Sequence, residues 1–120
     1  MNYNVSFSEI KERIPLPVKF SCVDAHTLSV KLPLIHDIDV AVKRIEGTKL
    51  YLDSKNGDKL IGMAKKVAPK YMEMVENLGN GEYILHLDKN PKMAELAGKF
   101  DLKDLCFNKD GATVEYDNKG

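Results

Sequence analysis

Between Val18 and Leu52 apolar residues recur at every second position, in short segments separated by tight polar breaks. That period commits this part of the chain to strands with one buried face. Val18, Phe20 and Cys22 alternate with Lys19 and Ser21, and Leu28, Val30 and Leu32 alternate with Ser29 and Lys31. Asp24-Ala25-His26 joins these two runs tightly, so they read as a β-hairpin. Pro33 to Asp37 breaks the sheet. Ile38, Val40 and Val42 then alternate with Asp39, Ala41 and Lys43, Glu46-Gly47-Thr48 turns the chain, and Leu50 and Leu52 bring it back. The apolar parity shifts at Ile45, which places a β-bulge near Lys43 or Arg44. Strands joined by such short connections pair antiparallel.

The period changes to helical over Lys59 to Asn77. Leu60, Met63, Val67, Tyr71, Met72 and Met74, with their apolar neighbours, fall within about half the circumference of a helix. Lys65, Lys66, Lys70, Glu73 and Glu76 take the other half. Asp58 is a suitable N-cap and Gly79-Asn80-Gly81 a suitable left-handed C-cap. Pro69 lies on the polar half, so the helix either bends there or breaks in two at Ala68.

Shorter elements flank this core. Ser6 and Glu9 form a capping box for a helix from Ser6 to Ile14, which Pro15 and Pro17 end. Tyr83 to Leu87 is apolar on both faces and reads as a central strand. Asn90-Pro91 opens a short helix, Pro91 to Ala97. Leu102 to Phe107 and Ala112 to Tyr116 flank Asn108-Lys109-Asp110-Gly111, a hairpin signal, and the polar tail from Asp117 to Gly120 is expected to fray. The expectation is a single α+β domain over residues 1–120. A mostly antiparallel, curved sheet of about six or seven strands packs on one long amphipathic helix, with two short helices besides.

The stretch Glu82-Tyr83-Ile84-Leu85-His86-Leu87-Asp88, followed by Asn90-Pro91 and by Leu102 to Tyr116 around Asp110-Gly111, resembles bacterial relatives of tubular lipid-binding domains. The resemblance covers the C-terminal third of the chain and rests on element order and turn chemistry. It implies a lipid-like ligand held between helix and sheet.

Function is constrained mostly by what is missing. Eighteen basic and eighteen acidic side chains balance to a formal net charge of zero, without the basic excess that phosphate binding favours. No apolar run approaches the roughly 20 residues that span a bilayer, and Met1-Asn2-Tyr3-Asn4-Val5 lacks the basic and apolar regions of a signal peptide, so the expected location is cytoplasmic. Cys22 and Cys106 form no C-x-x-C pair and read as buried reduced thiols. Nucleophile elbows and glycine-rich phosphate loops are absent. No catalytic residue, metal ligand or cofactor is assigned. The expected function is a non-catalytic binding module, for an apolar or lipid-like ligand between helix and sheet or for a protein partner, including a second copy. Its contact residues are the helix margin Leu60, Met63, Val67, Tyr71, Met72 and Met74, where methionines give an adaptable apolar surface, together with an open sheet edge. The competing reading is a small hydrolase or metal-dependent enzyme using His36, Asp37 and Asp39, or His86 with Asp88.

Overall fold

The computed structural model describes residues 1–13, 18–32, 37–67 and 69–119. Strand β1 (Asn2–Ser6) runs into helix α1 (Phe7–Arg13), where Ser6 Oγ accepts from the Glu9 N–H at 3.1 Å. The expected end of this helix, from Ile14 to Pro17, lies outside the described residues. β2 (Lys19–Asp24) and β3 (Thr27–Lys31) form the expected hairpin. β4 (Ile38–Glu46) and β5 (Lys49–Asp53) form the next one, turning at Gly47 with φ +59°. Its register shifts between Val42 and Arg44, where the bulge was expected.

Helix α2 (Gly57–Val67) follows, then a 3₁₀ turn (Pro69–Met74), and then β6 (Val75–Gly79) and β7 (Glu82–His86). A second 3₁₀ turn (Leu87–Lys89) leads to α3 (Pro91–Ala97). Asn90 Oδ1 caps α3, accepting from the N–H groups of Lys92 and Met93. β8 (Phe100–Phe107) and β9 (Gly111–Asn118) close the chain as a hairpin. The tail expected to fray is paired as far as Asn118, opposite Phe100.

Two expectations are overturned. No long amphipathic helix exists among the described residues, and the fold is mostly β, with two antiparallel sheets instead of one. The six-stranded sheet has the order β2-β3-β4-β5-β7-β6, and the three-stranded sheet the order β1-β9-β8. Pro69 explains part of the first correction, because it has no N–H for the helical ladder. The strand β6 explains the rest. Val75 pairs with Leu85 and Glu76 with Ile84, so β7 is an interior strand between β5 and β6, the position expected from its two-sided apolar composition. Gly79-Asn80-Gly81 is therefore a hairpin turn and not a helix cap. Asn80 and Gly81 have φ of +55° and +79° between the paired Gly79 and Glu82, a two-residue primed turn favoured by Asn-Gly.

The core sits at the β2-β3-β4 end of the larger sheet. Val18, Val30, Leu32 and Ile38 are buried there, with Phe20, Leu28 and Val40 from the same sheet face packed on them and Leu60 and Met63 from α2 laid across. Full burial of side chains such as Leu32 and Ile38 stabilises by about 1.5–3 kcal/mol each.

Candidate functional site

The expected helix margin is divided between two elements. Leu60 and Met63 lie on α2, against the core, and Val67 at its end is 38% exposed. Tyr71 and Met72 are half-buried and Met74 is buried in the 3₁₀ turn. Of the alternative site, His36 lies outside the described residues, Asp37 is exposed, and Asp39 lies in β4 opposite Ser29. His86 ends β7, so Asp88, in the following 3₁₀ turn, does not share its strand face. The partner of His86 is Glu76 on β6, with Nε2 to Oε1 at 2.8 Å.

A different cluster forms where the two sheets meet. The Asp24-Ala25-His26 turn is held from three sides. The His26 N–H donates to Asp24 Oδ1 at 2.9 Å, the His26 carbonyl accepts from the Val42 N–H at 2.8 Å, and the Ala25 carbonyl accepts from the Phe107 N–H at 2.7 Å. The first of these bonds, with help from Thr27, holds the Asp24 carboxyl below its ordinary range. Across the joint, β8 bulges between Leu102 and Asp104. Asp104 and Cys106, two residues apart, then share a strand face.

His26 Nε2 lies 3.2 Å from Asp104 Oδ1 and 3.7 Å from Cys106 Sγ, and the Cys106 thiol donates to Asp104 Oδ2 at 3.2 Å. The Cys106 hydrogen bond, the Leu105 N–H and His26 hold the Asp104 carboxyl below its usual value. The same carboxylate, with burial and with Glu115 from β9, pushes the Cys106 thiol up. The Cys106 thiol is thereby favoured in its protonated form, a poor nucleophile. The ring geometry agrees, since Asp104 and Cys106 address the same histidine nitrogen. A relay would place the acid on the far nitrogen. A cleft of about 280 Å³ opens beside the cluster, lined by His26, Val42–Ile45, Lys103 and Asp104. Neither this cleft nor the one lined by residues of β1, α1 and β9 with Asn108 and Asp110 is lined by the helix-margin residues.

The second feature is the free side of β1. Met1 and Tyr116 exchange both backbone hydrogen bonds, at 2.8 and 2.9 Å, and the Phe7 N–H donates to the Asp110 carbonyl. This alternation turns the backbone groups of Tyr3 and Val5 toward β9 and those of Asn2 and Asn4 away from it. Among the described residues no strand pairs with that outer side. The register puts Tyr3, Val5, Val114, Leu105 and Phe107 on one face of the small sheet, and Tyr3 is 55% exposed.

Sequence reasoning passed over both features. Asp104-x-Cys106 was legible as a shared strand face, but the sequence reads Cys106 only as a buried reduced thiol, whereas it is half-buried. Nothing local ties either residue to His26, 78 positions away from Asp104. No helix of the described structure is long and apolar enough to cross a membrane. Compared with known proteins, the chain matches no family model, no curated protein and no solved structure.

Proposed function

We propose that this chain is a non-catalytic protein-binding module that works by strand addition at β1, with a second copy of itself as partner. One observation carries the reading: β1 is the edge strand that the sequence leaves undefended. Open edges invite pairing, and proteins block them with charges, bulges or proline. β2 carries Lys19 and Asp24 and a bulge, β6 carries Glu76 and a bulge, and β8 carries Asp101, Lys103, Asp104 and a bulge. β1, Asn-Tyr-Asn-Val-Ser, has no charge and no break in register.

The strand also complements itself. Antiparallel pairing about a two-fold axis at Asn4 brings the outward backbone groups of Asn4 onto those of its equivalent, and Asn2 onto Ser6. Tyr3 then faces Val5 of the second copy, an aromatic on a β-branched residue, a pairing worth roughly 0.2–1 kcal/mol. No like charges meet, and a net charge of zero adds no long-range repulsion. The result is one continuous six-stranded sheet. The contact is small, so association is weak, with a dissociation constant roughly in the micromolar to millimolar range. The apolar-ligand expectation, by contrast, has lost the long helix on which it was built.

Sedimentation equilibrium over a wide concentration range tests this. The expected result is a monomer–dimer equilibrium that Asn4→Pro abolishes. Proline removes an N–H that faces away from β9, so the ladder to β9 is kept. Association of Asn4→Pro equal to that of the parent chain would rule the edge out.

A further inference from the structure

We propose that His26, Asp104 and Cys106 form a binding site for one divalent cation of the zinc class, a property separate from the β1 edge. The argument is geometric. A tetrahedral zinc takes nitrogen and oxygen ligands at about 2.0–2.2 Å and a thiolate at about 2.3 Å. Tetrahedral angles then space the ligand atoms about 3.4–3.6 Å apart. Here His26 Nε2 and Cys106 Sγ are 3.7 Å apart, each lies 3.2 Å from one of the two Asp104 carboxylate oxygens, and one ligand atom from each residue falls within 4.8 Å of the other two. A rotation of the Asp104 carboxylate that turns one oxygen toward both His26 Nε2 and Cys106 Sγ would place all three around a single ion.

The supporting structure is already in place. His26 is fixed through its own backbone N–H and carbonyl, while the Leu105 N–H donates to Asp104 Oδ1 at 2.8 Å. A site whose ligands are oriented before binding loses less to ordering. The donor set selects the ion. Imidazole with thiolate suits zinc, cobalt and their neighbours, whereas magnesium and calcium take oxygen ligands. Charge also balances, because the Cys106 thiolate and the Asp104 carboxylate together neutralise a dication. On binding, the thiol proton leaves to solvent. His26 gives up the proton that Nε2 directs at Asp104 and supplies the Nε2 lone pair, its remaining proton resting on Nδ1. With three protein ligands, the fourth position is left to water, for which the adjacent cleft has room.

The full chain is titrated with cobalt(II) as a spectroscopic probe and with zinc by calorimetry. One equivalent of cobalt is expected to give thiolate-to-cobalt charge-transfer absorption and the visible bands of a tetrahedral ion. Cys106→Ser is expected to remove the charge-transfer band. Asp104→Asn and His26→Gln, which keep the side-chain shape, are each expected to weaken zinc by roughly tenfold or more. Cys22→Ser controls for the other thiol and should leave both readouts unchanged. Circular dichroism confirms that each variant is folded. Cobalt binding without a thiolate band, or zinc affinity unchanged in folded Asp104→Asn and His26→Gln, would overturn the site.

Discussion

Asp104 does several jobs at once. It accepts from a thiol and from a backbone N–H, faces a histidine, and sits at a bulge, all with a side chain still partly open to water. Its carboxyl, like that of Asp24 in the opposite turn, is held below its ordinary value of 3.8. The folded state therefore prefers both groups charged, and the unfolded chain binds protons more readily in the acid range. Their contribution is complete above the ordinary carboxylate range and is lost as pH falls through it toward the lowered folded values. Denaturant midpoints measured from neutral pH downward should fall on this limb, and Asp104→Asn should shallow the fall. A limb of unchanged steepness in that variant would show that the carboxylate is not favoured by folding. Asp104 and Cys106 could be read locally, since two positions apart on a strand means one face. The approach of His26 could not, because it depends on how two sheets are joined.

At the scale of elements, the instructive case is the segment from Gly57 to Gly81. Its apolar spacing fits a helix as far as Met74 because α2 and the 3₁₀ turn both wind the chain onto the sheet. Gly79-Asn80-Gly81 misleads because a left-handed helix cap and a primed hairpin turn make the same demand for positive φ. The pairing of β7 decides between them: it has β5 on one edge and β6 on the other, so the chain after Met74 returns as a strand and the turn joins two strands. The regular hairpins, the bulge in β4 and the α3 cap were legible because each is fixed by residues close in sequence. β1 was not, since its five uncharged residues become a strand only by pairing with the other end of the chain. The turn can be tested directly. Gly81 has φ +79°, its carbonyl accepts from the Ser54 N–H at 2.7 Å, and a Cβ there would lie 2.8 Å from the Ser54 carbonyl oxygen. Gly81→Ala should destabilise the fold by about 1–3 kcal/mol in equilibrium unfolding. A loss near zero would mean that the β6–β7 turn relaxes to another form.

As a whole the molecule is elongated, 47 × 28 × 26 Å, and the two sheets touch where β8 meets β2 and β4. The three-stranded sheet ties together the chain ends, with Thr113 Oγ1 donating to Asn4 Oδ1 at 2.7 Å across 109 positions. Its apolar side chains are mostly half-buried, Ala112 being an exception. Three strands with so little enclosed area are marginal alone, so this sheet depends on the joint. The joint includes the Phe107-to-Ala25 backbone bond, the His26–Asp104–Cys106 cluster, and the rings of Phe7 and Phe20, with centroids 5.9 Å apart. Such an arrangement should unfold in one cooperative step. Phe7→Ala removes the aromatic contact to Phe20 at the margin of the main core, and should lower global stability by about 2 kcal/mol. Hydrogen exchange then separates the alternatives. If the sheets are one unit, slow amides in β9 and in β3 lose protection together and by the same free energy. If β9 amides already exchange by a separate, lower-energy opening, and only they respond to Phe7→Ala, the small sheet is an independent flap. In that case the cation site between the sheets would be assembled only part of the time.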